Sequence, residues 1–193
     1  SAQVVDAWAQ ILRGVPSSRL ILKAAALADD SVCQQITQRF AQRGIDAARL
    51  DLRGASAHHE MLEEYGHMDI ALDPFPFNGG MTTLEALWMG VPVLALAGDT
   101  VVSRQSVAAL ANLGLADELS FADVTAYVAG AIALGNRPQR LAELRSQLRP
   151  RMQASPLCQP HTFTRDLEAM YRRMWQAWCR GEKLPCDVNP GAP

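Results

Sequence analysis

From Asp69 to Gly98 the chain reads DIALDPFPFNGGMTTLEALWMGVPVLALAG. Met68 to Asp73 has the short, continuously apolar character of a buried strand, and Val91 to Leu96 repeats it. Between them, Pro74 to Gly80 is a Pro/Gly-rich turn, and a helix is expected from Met81 to about Met89, stopped by Gly90. Strand, glycine turn, helix and strand in that order is one unit of a parallel sheet, because parallel neighbours need a crossover connection.

The same alternation extends outward in both directions. Upstream, Val4, Trp8, Ile11 and Val15 recur at helical spacing, Pro16-Ser17-Ser18 breaks the pattern, and Arg19 to Lys23 reads as a strand. A helix capped by Asp30 or Ser31 follows to about Gly44, then a strand over Arg49 to Arg53 and a helix capped by Ser56 that ends near Gly66. Downstream, helices are expected over Ser103 to Leu113, Phe121 to Leu134, Pro138 to Met152 and Thr162 to Arg180. The fold class is therefore α/β, a doubly wound, mostly parallel, Rossmann-like sheet with extra C-terminal helices, and its ligand edge lies at the carboxyl ends of the strands. Residues 1–180 form one lobe, and 181–193, with Pro185, Pro190 and Pro193, read as a flexible tail.

Composition narrows the function classes. The 193 residues are 49% hydrophobic and 20% charged, as in one globular domain of roughly 100–200 residues. Eighteen Lys and Arg against twenty Asp and Glu leave no positive excess to attract a phosphate backbone, so no nucleic acid partner is expected. No apolar run approaches the ~20 residues of a membrane helix and no leader pattern opens the chain. A cytoplasmic protein without a membrane partner is expected. Cys33, Cys158, Cys179 and Cys186 are far apart, without zinc spacing, and read as free thiols; no metal is expected. There is no internal repeat and no low-complexity tract.

The glycine turn carries the chemistry. Asn78-Gly79-Gly80 lets the backbone approach a ligand, and the free N–H groups and dipole of the following helix favour an anion such as a diphosphate. Thr82 and Thr83 add hydroxyl donors. Glu85, one turn in, can accept hydrogen bonds from a ribose diol. Taken singly, each feature also has a plain reading: a turn, a cap, and a first-turn Glu that complements the dipole. Their order at the ligand edge of a parallel sheet is what joins them into a candidate site. His67, His161, Phe75 and Phe77 read mainly as packing or surface residues, and Arg137 to Arg151 as a solvated helix face.

On these residues the chain resembles the C-terminal half of the catalytic region of the O-linked N-acetylglucosamine transferase family. Ser155-Pro-Leu-Cys158, Phe163, Leu167-Glu168, Tyr171 and Met174-Trp175 resemble that family's closing helix, and Ser103-Arg104 and the opening Trp8 to Pro16 agree. The resemblance covers about residues 4–180. It implies the C-terminal lobe of a two-lobed, GT-B type glycosyltransferase, in bacteria joined to upstream tetratricopeptide repeats. The implied donor is a UDP-sugar, UDP-N-acetylglucosamine foremost, with no cofactor required. Gly79, Gly80, Met81, Thr82 and Thr83 would meet the diphosphate, Glu85 the ribose, and the loop at Ala55 and Ser56 the base. Met61 stands where many members carry a nucleotide-contacting His, with His58 and His59 just upstream as substitutes. The family's phosphate-contacting Lys falls upstream of Ser1.

The expected activity is inverting transfer of a sugar to Ser or Thr of a protein acceptor that is held through the upstream lobe and repeats, where the catalytic residues are also expected. A UDP-sugar enzyme such as an epimerase, and a non-catalytic interaction domain that keeps the fold, remain as alternatives. Phe163, Leu167, Met170, Tyr171, Met174, Trp175 and Trp178 follow helical spacing and read as a packing stripe, which left uncovered would favour a homo-oligomer.

Overall fold

The computed structural model describes residues 1–182, so the expected tail lies outside the described residues beyond Glu182. Helix α1 (Ala2–Gly14) is capped by Ser1, whose Oγ accepts from the Val4 N–H at 3.3 Å. It is buried along two faces. Val4, Ala7 and Ile11 enter the main core, while Val5, Ala9 and Leu12 enter a second cluster with Leu20, Phe40, Ile45 and Leu50. That second cluster is built by β1 (Leu20–Lys23), α2 (Asp30–Ala41) and β2 (Leu50–Arg53). The two strands are parallel, in register from Leu20 opposite Leu50 to Lys23 opposite Arg53.

The second half runs α3 (His58–Glu64), β3 (Ala71–Leu72), α4 (Met81–Trp88), β4 (Val93–Leu96), α5 (Gln105–Asn112), α6 (Ala116–Leu119), β5 (Ser120–Phe121), α7 (Val124–Gly135), α8 (Pro138–Ala154) and α9 (Pro160–Cys179). In β4 the consecutive residues Val93, Leu94 and Ala95 are all buried. Since neighbouring side chains point to opposite faces, this strand is covered on both. β4 pairs in parallel with β3 on one side and β5 on the other.

The α/β class and the parallel pairing agree with expectation, but the single sheet does not. Among the described residues the strands hydrogen-bond as two groups, β1–β2 and β3–β4–β5. β3 is only two residues long: the Met68 carbonyl before it accepts from the Arg145 guanidinium, and Pro74 just past it has no N–H to offer a ladder. Side chains join the two groups instead, with Trp8 and Leu72 packing against both clusters.

Several boundaries move. Asp29, not Asp30 or Ser31, caps α2 through the Ser31 N–H. Ala57, not Ser56, stands at the N-cap of α3, where Glu60 accepts from the Ala57 N–H at 3.1 Å. The short pair α6 and β5 was not expected, and the helix read from Phe121 starts at Val124, capped by Asp123. Cys33, Cys158 and Cys179 are free thiols, and Cys186 lies outside the described residues.

The stripe on α9 faces outward. Phe163, Met170, Tyr171, Met174, Trp175 and Trp178 are all exposed, and only Ala177 of this helix is buried. Helical spacing marks an apolar face correctly; it does not say what covers it. No helix among the described residues is long and apolar enough to cross a membrane.

Two features fix α4 from behind. Gly90 ends it at φ +83°, a conformation costly for any residue with a Cβ. Arg149 of α8 donates to the Trp88 carbonyl at 2.7 Å and lies over the Trp88 ring at 5.3 Å, satisfying a carbonyl that the helix end leaves free.

At the centre of the core, Tyr127 is fully buried with Phe75 and Phe121 edge-on to its ring. Its hydroxyl accepts from Trp8 Nε1 at 3.2 Å and donates to the Asp73 carbonyl at 3.3 Å, tying α1 and α7 to the end of β3. Tyr127→Phe keeps the packing but strands both partners, so urea unfolding should show a loss of about 1–2 kcal/mol; an unchanged midpoint would show that water replaces the hydroxyl freely.

Candidate functional site

The helix start expected at Met81 is where the structure puts it, with Gly80 at the N-cap. The Leu84 N–H is the first to return to the preceding turn, reaching the Gly80 carbonyl at 3.3 Å. The N–H groups of Met81, Thr82 and Thr83 precede it and have no partner within the helix. They sit just beyond β3 and β4, at the carboxyl edge of the parallel strands. Met81 and Thr82 are exposed, and Gly79 and Gly80 are half-buried.

Gly79 is the more tightly enclosed of the two glycines, since the contact at Gly80 is the far end of a flexible Gln side chain that can swing away. A Cβ on Gly79 would lie 2.6 Å from Thr83 Oγ1 and 3.1 Å from Asp73 Oδ1, and one on Gly80 would lie 2.8 Å from the Gln105 carboxamide oxygen. Beneath the turn, Asp73 Oδ1 accepts from the Gly79 N–H at 2.7 Å. The Ser106 hydroxyl donates to the Gly79 carbonyl at 3.0 Å and pairs with Thr83 Oγ1 at 2.8 Å. The Thr83 hydroxyl is therefore turned into the protein, and only its backbone N–H remains to meet a ligand. Thr82 keeps an exposed side chain, while its carbonyl accepts from the Tyr65 hydroxyl at 3.2 Å.

Glu85 is half-buried on α4 and faces α3, with His58 Nε2 3.6 Å from its Oε1. Of the two adjacent histidines it is thus His58 that reaches the candidate site; His59 is exposed on the same short helix and Met61 is half-buried on it. Ala55 and Ser56 lie exposed in the loop after β2, and Ser56 Oγ donates to Glu64 Oε1 at 3.3 Å. Glu64 also accepts from Lys23 at 2.7 Å and from Arg53 at 3.1 Å, and Arg53 forks onto Asp51 at 3.0 and 2.6 Å. Hydrogen bonds from Lys23 and Arg53 hold the Glu64 carboxyl below the usual range, and Arg53 does the same for Asp51. This network clamps α3 to the carboxyl ends of β1 and β2.

Phe75 is buried against Tyr127, whereas Phe77 is exposed. With exposed Met81, Val101 and Val102 it forms an apolar rim around the turn, held there by the Asn78 N–H donating to the Val102 carbonyl at 3.0 Å. His67 and His161 are exposed. No group of three or more His, Cys, Asp or Glu side chains gathers as a metal would need among the described residues.

Asp73, Ser106 and Glu64 are the residues that sequence reasoning missed. Asp73 is 4% exposed and its Oδ2 has no hydrogen-bond partner. Burial pushes its carboxyl up from 3.8 to about 6, against the pull of the Gly79 N–H. Between those values the folded chain holds a proton the unfolded chain has lost. Ionised Asp73 thus costs the fold roughly 3 kcal/mol at neutral pH, a cost that fades as the pH falls towards 4. Asn78, fully buried beside it, also has a side-chain oxygen without a partner.

Comparison with known proteins places this geometry in a family. Residues 1–167 match glycosyl transferase family 41. A tomato (Solanum lycopersicum) protein described as a probable UDP-N-acetylglucosamine–peptide N-acetylglucosaminyltransferase SPINDLY is 39% identical over 181 residues, 93% of this chain and 19% of the tomato protein. The Caenorhabditis elegans UDP-N-acetylglucosamine–peptide N-acetylglucosaminyltransferase is 27% identical over 95% of this chain and 15% of its own length. The solved structure of a mutant O-GlcNAc transferase from Thermobaculum terrenum superposes with a TM-score of 0.86 at 36% identity, covering 92% of this chain and 34% of that one. The chain spans about a fifth of the length of the curated plant relatives it matches. With parallel strands, a glycine turn opening α4 and a family match over most of its length, the chain belongs to glycosyl transferase family 41.

Proposed function

We propose that this chain is the donor-binding half of an inverting protein O-glycosyltransferase, which passes N-acetylglucosamine from a UDP-sugar to Ser or Thr hydroxyls of protein acceptors. The observation that carries the reading is the set of free N–H groups of Met81, Thr82 and Thr83 at the carboxyl edge of the strands. Family membership and the tomato, nematode and bacterial relatives support the reaction class.

In this reading the diphosphate lies on the Gly79 to Thr83 turn, with Met81 and Thr82 nearest solvent. The negative charge that grows on the departing diphosphate meets fixed N–H donors and the positive end of α4, so no solvent reorganisation is needed during transfer. Glu85 accepts from the ribose hydroxyls, with His58 Nε2 3.6 Å from its Oε1. The loop of Ala55 and Ser56, with His59 and Met61 on the helix after it, forms the wall towards the base. The acceptor and the group that takes its proton belong to the rest of the protein.

Titration calorimetry of the full-length protein with UDP, GDP and UMP tests the reading. UDP should bind selectively and lose affinity on shortening to UMP; a preference for GDP would move the donor to a guanosine diphosphate sugar, and no binding would favour an interaction domain that keeps only the fold. Glu85→Ala should weaken UDP by ~1.5–3 kcal/mol, the worth of charged hydrogen bonds, and an unchanged affinity in a folded variant would remove Glu85 from the site. Thr83→Val should cost stability by roughly 1 kcal/mol through the lost hydrogen bond to Ser106, whereas Thr82→Val should leave unfolding unchanged and weaken UDP several-fold.

A further inference from the structure

We infer that Asp73 and Ser106 are positioning residues which hold the two backbone groups of Gly79 from beneath and so preset the turn that presents the α4 N–H groups. The inference rests on the diphosphate reading above and goes beyond it to side chains that touch no ligand. Gly79 is gripped on both sides: its N–H by Asp73 Oδ1 at 2.7 Å and its carbonyl by Ser106 Oγ at 3.0 Å. These grips come from separate elements, the residue after β3 and the first turn of α5. Thr83 links the second grip to α4 itself, 2.8 Å from Ser106 Oγ. The Gly79 N–H belongs to the peptide linking it to Asn78 and its carbonyl to the peptide linking it to Gly80, so the two bonds restrain the peptide planes on either side of Gly79 and set the direction of the free N–H groups before any ligand arrives.

The arrangement is costly for the fold, which separates positioning from mere structure. Burial works against the Asp73 charge. A side chain selected for stability would not be an ionisable one in this place. Glycine at 79 belongs to the same device: a Cβ there would strike Thr83 Oγ1 and crowd Asp73 Oδ1, the two side chains on either side of the grip. The main-chain anchor of the bracket is independent of it, since Tyr127 holds the Asp73 carbonyl and not its carboxylate.

The test compares UDP with UMP on the full-length protein and follows thermal unfolding at pH 7.5. Asp73→Ala should weaken UDP about tenfold and Ser106→Ala several-fold, while UMP changes by less than about twofold. Asp73→Asn keeps an acceptor for the Gly79 N–H and should restore most UDP affinity while raising the unfolding temperature, because the buried charge is gone. Loss of UDP and UMP in equal proportion, or loss that tracks a falling unfolding temperature, would assign these residues an ordinary structural role and overturn the inference. So would wild-type UDP affinity in both alanine variants, with the donor reading left standing. Should Asp73→Ala fail to fold, Ser106→Ala and Asp73→Asn decide the matter between them. A wild-type protein that does not distinguish UDP from UMP would instead end the diphosphate reading, and this inference with it.

Discussion

The hydroxyl of Tyr127 is the constraint on which the rest of the lobe depends. A phenol buried this deeply must satisfy its oxygen, and it does so by joining Trp8 of α1 to the main chain at Asp73. Both partners matter for geometry. Trp8 sits where the two apolar clusters meet, so the bond registers the β1–β2 half against the β3–β5 half. Asp73 is the last residue before the Pro/Gly turn, so the same bond fixes where that turn begins. The aromatic edges of Phe75 and Phe121 leave the ring no other orientation. A site built from backbone N–H groups has no side-chain adjustment to fall back on, and depends on supports of this kind.

Around that anchor, the site is assembled from three directions. α4 is held at its rear by Arg149 and Gly90, at its front by the Gly79 turn, and at its side by Tyr65, which directly follows α3. α3 is in turn clamped by Glu64 to Lys23 and Arg53, the last residues of β1 and β2. The charge network therefore orients α3 against the ends of both strands. Its position at the carboxyl edge sets the spacing between the loop after β2 and Glu85.

What was legible in the sequence was local. Asn78-Gly79-Gly80 and Gly90 announce the two ends of α4 through backbone chemistry that operates within a few residues, and the apolar runs of β1, β2 and β4 announce strands. The rest depends on separations the local pattern does not encode. The Thr83 hydroxyl reads as a free donor until Ser106, 23 residues on, takes it. His58 and His59 differ by one step of helix phase, and that phase follows from α3 being capped at Ala57 and not at Ser56. β5 is two residues long, too short to carry a period, and exists because β4 supplies its partner. Asp73 looks like an ordinary loop-entry aspartate; its burial follows from Tyr127, 54 positions away. On α9 the helical period identifies an apolar face without identifying its neighbour, and the face is exposed, as expected for a stripe left uncovered.

The apolar rim of Phe77, Met81, Val101 and Val102 bears on how strongly the helix start can act. In the open lobe these side chains border water, and a negative charge placed on the α4 N–H groups is screened by a high-dielectric medium. Coulombic attraction scales inversely with that dielectric, by several-fold between a wet surface and a dry cleft. Any surface that settles on the rim replaces water by hydrocarbon directly beside the donors. The same three N–H groups would then attract an anion far more strongly without moving at all. On the proposed donor reading, capture of the donor and stabilisation of its departing charge would then be two settings of a single element, chosen by what lies on Phe77 and Met81.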